Sequence, residues 1–195
     1  MNFLAHLYLS GDDHEITVGN FIADHVKGSA INGFSAGIQR GIRFHRAIDQ
    51  FTDSHDQIRE AVEKLRPGYK KYAGVVMDMY SDHFLASAWS EWSNVPIGDY
   101  TASRYEILMN HYQILPARTQ YMLQYMVKDD WLSSYAQVEG IGMALRGMSR
   151  RTTFVSNLEN AIDELKSDYD FYKQRFDVFF PEMILFAAEY LKTNT

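Results

Sequence analysis

The chain has 195 residues, enough for one domain with a substantial core, and no break in composition divides it. Its 19 basic and 25 acidic residues leave a net charge of −6, which argues against general binding to nucleic acid or to an anionic membrane. With no cysteine there are no disulfides, no thiol catalysis and no thiolate metal ligands, as suits a reducing cytoplasm. The N-terminal stretch lacks a basic start and carries His6 inside a short apolar run, so it does not read as a secretion signal. No apolar stretch reaches the length of a membrane span. The expectation is a cytoplasmic protein.

In chain order, apolar residues recur at intervals of three and four. His6 sits between Leu4, Ala5 and Leu7, and Asp24 follows Phe21, Ile22 and Ala23, with Gly19 and Asn20 one turn earlier. A helix carrying Arg40, Arg43, His45, Arg46 and Asp49 is expected to end near Phe51 or Asp53. Ser54 followed by Gln57 has capping-box spacing and predicts a new helix from Ser54. Pro67 and Gly68 mark a boundary, after which a helix over about 68–92 carries Val75, Val76, Met79, Phe84, Leu85 and Trp89. Further boundaries fall at 94–98 and at Leu115-Pro116. The residues Phe154, Leu158, Ile162, Leu165, Tyr169, Tyr172 and Phe176 predict a stripe along one helix, and Pro181 suits the first turn of a last one. The reading is all-α, with eight or so helices in a single compact domain over 1–195.

Acids and imidazoles at helical spacing stand out. Residues four apart on a helix point about 40° apart around its axis, so His45, Asp49 and Asp53 project together, as do Asp78 and Asp82, with His83 beside them. Clustered His and Asp without cysteine suit a hard or borderline divalent metal. Each has a plainer reading. Taken singly, Asp53 reads as a helix cap or turn residue, His45 and Asp49 as a surface pair, His6 and His83 as hydrogen-bonded core histidines, and Asp24 as an exposed helix aspartate. Asp78 and Asp82 border core-forming residues, where an unpartnered carboxylate is costly. Arg40, Arg43 and Arg46, and also Arg146, Arg150 and Arg151, form two basic clusters whose plainer reading is as solvated helix faces and a basic helix end before Gly147. Tyr100, Tyr105, Tyr112, Tyr121 and Tyr125 offer rings for a groove or for packing.

Taken in order, these pieces form a resemblance. Asn2-Phe3-Leu4-Ala5-His6-Leu7, Gly19-Asn20 with Ala23-Asp24, His45-Arg46 with Asp49 and Thr52-Asp53, Asp78 with Asp82-His83-Phe84-Leu85, and Gly147-Met148 with Arg150 or Arg151 resemble the acyl carrier protein phosphodiesterase family. The resemblance implies a helical, HD-type metal-dependent phosphohydrolase fold, without a clear equivalent of the adjacent His-Asp signature. The literal pair His55-Asp56 reads as a decoy at a helix start. It also implies removal of 4′-phosphopantetheine from holo acyl carrier protein, with manganese favoured and magnesium, iron or cobalt as alternatives.

On that basis Asp24, His45, Asp49 and Asp82 are expected as metal ligands, with His6, Asp53 and Asp78 as ligands or their orienters. His83 is expected to protonate the leaving serine oxygen, with Asp78 in a supporting catalytic role. Arg43, Arg46, Arg150 and Arg151 are expected to meet the phosphate or the acidic carrier. Two other readings stay open: a phosphohydrolase acting on a nucleotide or another small phosphoester, and a non-catalytic module that binds a carrier protein.

Overall fold

The computed structural model describes residues 1–194, which form helices and turns without a strand. The α-helices are α1 (Phe3–Leu9), α2 (His14–Ile22), α3 (Ala36–Ser54), α4 (Asp56–Tyr69), α5 (Ala73–Ser87) and α6 (Trp89–Trp92). They are followed by α7 (Ile97–Asn110), α8 (Ala117–Lys128), α9 (Trp131–Ser134), α10 (Val138–Ser149), α11 (Ala161–Ser167) and α12 (Tyr169–Thr193). Eight of these have nine residues or more. All twelve pack about one core, in which Phe44, Tyr80, Phe84, Tyr172, Phe176 and Phe180 are fully buried. No helix among the described residues is long and apolar enough to cross a membrane.

Several boundaries differ from the sequence reading, each for a local reason. Helix α3 runs through Asp53 and Ser54, and the cap of α4 is His55, whose Nδ1 accepts from the Gln57 N–H at 3.3 Å. Asp53 is therefore an exposed residue of the last turn of α3, not a corner. Pro67 lies inside the last turn of α4, and the chain breaks at Lys70, which adopts φ 51°. The helix expected over 68–92 is thus the end of α4, a 3₁₀ turn at Lys70–Tyr72, then α5 and α6. The stripe from Phe154 to Phe176 keeps most of its buried faces but is divided, because Asn157 takes φ 56° and Asp168 separates α11 from α12. Pro181 is inside α12, where its ring points to the exposed side.

Two contacts position the site. Helices α2 and α3 touch backbone to backbone at Gly19 and Gly41. A Cβ on Gly19 would collide with the Ile38 carbonyl oxygen, and one on Gly41 with that of Ile16. The second contact fixes α1. Asn2 gives its N-terminus no side-chain cap, and Asp82 from α5 supplies one instead, accepting from the Leu4 N–H at 2.8 Å and the Ala5 N–H at 3.1 Å. Both oxygens of the fully buried Asp82 are thereby occupied by backbone, and burial pushes its carboxyl up to about 7 despite those donors. The ligand role expected for Asp82 is replaced by an architectural one: it holds α1, and with it His6, in place.

Asp82→Ala leaves two buried N–H groups without an acceptor and should cost about 1–3 kcal/mol of unfolding free energy. Urea denaturation measures this, and a variant as stable as the parent would contradict the capping role.

Candidate metal centre

His6 on α1, Asn20 on α2, and His45 and Asp49 on α3 converge where those helices meet. Asn20 is fully buried and uses its whole amide. Its Nδ2 donates to the His6 carbonyl at 2.8 Å and to Ser10 Oγ at 2.9 Å. A carbonyl only accepts, so the orientation of the amide is fixed and Oδ1 faces the two imidazoles. His6 Nδ1 donates to that Oδ1 at 2.8 Å, and His45 Nδ1 donates to the Asn20 backbone carbonyl at 2.8 Å. Both rings therefore carry hydrogen on Nδ1 and turn Nε2 toward the carboxylates.

The Nε2 atoms and Asp49 form a group whose ligand atoms all lie within 4.8 Å of one another. His6 Nε2 is 3.2 Å from Asp49 Oδ1, and His45 Nε2 is 3.1 Å from Asp49 Oδ2 and 3.4 Å from Asp24 Oδ1. The rings stack with centroids 4.0 Å apart. Burial and the neighbouring charge on His45 bring His6 down to about 4, so its ring is neutral at pH 7. Its Nε2 lone pair then faces two acceptors, Asp49 Oδ1 and the Met1 carbonyl at 3.2 Å, with no proton between them. A cation satisfies that arrangement. Two imidazole nitrogens with carboxylate oxygens form a donor set that a borderline divalent metal accepts. His6, His45 and Asp49 could hold it, with Asp24 in reach.

Without a metal, a proton on His45 does part of the same work. Burial opposes its charge, but hydrogen bonds to Asp24 and Asp49 outweigh that and raise it to about 9. The hydrogen bond with His45 holds Asp24 below the usual carboxylate range. Burial would raise Asp49, but His45 and His6 carry it lower still. Asp78 lies 3.0 Å from the Met1 α-amino group, which is 3.8 Å from Asp49.

The remaining expected residues lie elsewhere. Asp53, exposed one turn beyond Asp49, is not one of the grouped ligands, and partial burial with the charges of Asp78 and Asp49 raises its carboxyl. His83 is buried with Nδ1 at 2.8 Å from the Tyr135 carbonyl and Nε2 at 3.1 Å from the Tyr169 hydroxyl, so both nitrogens serve the core. His55 packs on Phe51 and Phe179 with Nε2 toward Glu182, and Asp56 beside it is exposed. Arg43 bonds Gln39, Arg46 bonds the Val26 carbonyl, Arg40 bonds the Leu191 carbonyl and Arg150 is exposed at the end of α10. Arg151 lines a groove of about 600 Å³ together with Asp24, Asp78, Arg118, Tyr121 and Tyr125. The other three tyrosines pack elsewhere: Tyr100 on Trp89, Tyr105 under the Leu132 N–H, and Tyr112 beside Gln120 and Gln124.

Sequence reasoning named Asn20 only as a motif neighbour, without a role, and passed over Arg118. Asn20 left a usable signal, a lone amide inside the apolar run Ile16–Ile22. Arg118 left none, since only the packing of α8 carries it to the groove.

The family model described as acyl carrier protein phosphodiesterase matches residues 1–183. The chain belongs to that family. It is 33% identical over 185 residues to the acyl carrier protein phosphodiesterase of Escherichia coli O45:K1 (strain S88 / ExPEC), covering 94% of this chain and 96% of the relative. It is 32% identical over 189 residues to the protein of the same name from Escherichia coli O139:H28 (strain E24377A / ETEC), covering 96% and 98%. No solved structure matches it, and no neighbour bears out the HD-type fold that the sequence resemblance implied.

The pairing of His45 has a pH signature. Its pKa in the folded chain lies above the ordinary 6.5, so its stabilising contribution is complete below about pH 6.5 and is lost as pH rises through about 9. In chelator-treated protein, urea denaturation should show stability falling over that window, and His45→Gln should flatten the fall. An unchanged slope in the variant would contradict the pairing.

Proposed function

We propose that the protein is a metal-dependent phosphodiesterase that releases 4′-phosphopantetheine from holo acyl carrier protein, leaving the carrier's serine hydroxyl free. The observation that carries this reading is the pair of imidazoles pinned by Asn20, with Nε2 turned to Asp49 and Asp24, in a chain of the phosphodiesterase family. Manganese is the metal proposed; iron or cobalt also suit a mixed imidazole and carboxylate set, whereas magnesium, the remaining alternative, favours oxygen ligands.

A divalent ion bound there would supply Lewis-acid neutralisation of phosphate charge and lower the pKa of water to about 7. The chain's own residues supply position and charge. Asn20 holds both imidazoles in the ligand tautomer, which conserves their orientation through turnover. Asp24 links the centre to the groove, where a phosphodiester has room to approach. Arg118 and Arg151 are exposed along that groove and offer positive charge to the phosphoryl oxygens or to an acidic carrier. They provide the local basic surface that a chain of net charge −6 needs in order to dock an acidic protein. His83 is too deeply engaged in the core to donate a proton to the leaving serine oxygen; hydrolysis consumes one water, whose hydroxide goes to phosphorus and whose proton goes to that oxygen.

Incubation of holo carrier protein with the purified chain and manganese should lower the carrier's mass by one prosthetic group, and Asp49→Ala should abolish the change. An unaltered carrier mass would overturn the reading, and hydrolysis of nucleotides in its place would favour a small-phosphoester hydrolase. Asn20→Leu removes the acceptor for His6 and should weaken manganese binding about 10–100-fold in a calorimetric titration. Unchanged affinity would contradict the orienting role.

A further inference from the structure

The groove beside Asp24 continues past Phe3, Met122, Trp131, Met148 and Arg151 into a second cavity of about 250 Å³, because these five residues form walls of both. We infer that this chamber, between α8, α9 and α10, receives the far end of the substrate's arm as an acyl chain in thioester linkage. Ala144 and Gly147 set the length and breadth of chain it accepts. The inference rests on the phosphopantetheine reading above and extends it to acylated carriers.

The chemistry changes along the path in the order such an arm requires. At the groove, Asp24, Asp78, Arg118 and Arg151 are charged, whereas the chamber shares Arg151 and has Asp129 on its wall but is otherwise lined chiefly by Met122, Trp131, Tyr135, Met143, Ala144 and Met148. A phosphate at one end, amides along the middle and an apolar tail match that gradient. The chamber is smaller than the usual ligand pocket of about 300–1,000 Å³, and so suits one thin flexible chain better than a ring system. Methionine walls adapt readily to chains of differing length.

The glycines of α10 show where room is kept. Gly140 is required by packing, since a Cβ there would collide with the Ser134 carbonyl oxygen. Gly147 is under no such demand: its φ is not positive, and a Cβ would meet nothing within 4 Å. Glycine inside a helix costs about 1 kcal/mol relative to alanine. As at Gly68, Gly74 and Gly98, neither backbone conformation nor packing requires glycine at 147; what sets it apart is that it lines the chamber, where its missing side chain leaves space.

Gly147→Leu projects a side chain into that space without a Cβ clash, and Ala144→Leu does so one turn earlier. Both are compared with the parent on unacylated holo carrier and on decanoyl carrier, with circular dichroism confirming the fold. The parent should process both carriers, and in each variant the ratio of kcat/KM for decanoyl over unacylated carrier should fall about tenfold or more. A ratio unchanged in both variants, or refusal of decanoyl carrier by a parent that processes the unacylated form, overturns the chamber assignment and leaves the phosphodiesterase reading standing. Failure of the parent on both carriers counts against that reading instead. Binding then decides the chamber by itself: S-decanoyl-pantetheine should change tryptophan fluorescence saturably in the parent, and Gly147→Leu should weaken the effect. No saturable change overturns the inference.

Discussion

The close approach of α2 and α3 at Gly19 and Gly41 is the constraint on which the site depends. Only two residues without side chains let the backbones meet there, and the contact places Asn20 within reach of both His6 and His45. Wider helix spacing would separate the Asn20 carbonyl from His45 and free the imidazole to rotate. The geometry of the proposed metal centre is thus set by missing side chains, one next to Asn20 and one a turn before His45.

Around that contact the polar groups are divided between support and chemistry. Asn20 and Asp82 are fully buried and fully bonded, and each serves the backbone or an imidazole. Buried polar groups satisfied in this way hold one arrangement, because any other leaves a donor or acceptor without a partner. Asp24 and Asp78 sit at the groove, where solvent and substrate have access. The deep groups fix α1 and the rings, and the shallow ones face what enters. His83, one residue from Asp82, belongs wholly to the first class.

The helical class and the two charged stretches were legible because periodicity is a local property. His45 and Asp49 met as expected since an i, i+4 spacing on one helix settles their direction. His6 and Asp24 joined them only through tertiary contacts, although the ordered motifs named them. Asp82 and His83 misled for a physical reason: a carboxylate or imidazole beside apolar residues must find a partner, but periodicity does not say whether that partner is a metal or a backbone N–H or carbonyl. The boundaries at Ser54, Lys70 and Asn157 were missed because they depend on a histidine cap and on non-glycine residues with positive φ.

By itself the sequence determined an all-helical chain without thiol chemistry, a family, and a short list of acids and imidazoles, since composition, period and ordered motifs are carried along the chain. Only the tertiary structure decided which of those residues face one another. That choice follows from how helices pack: a close glycine contact sets Asn20 between two rings, the start of α1 consumes Asp82 as its cap, and α8, α9 and α10 together wall the groove and the chamber that adjoins it.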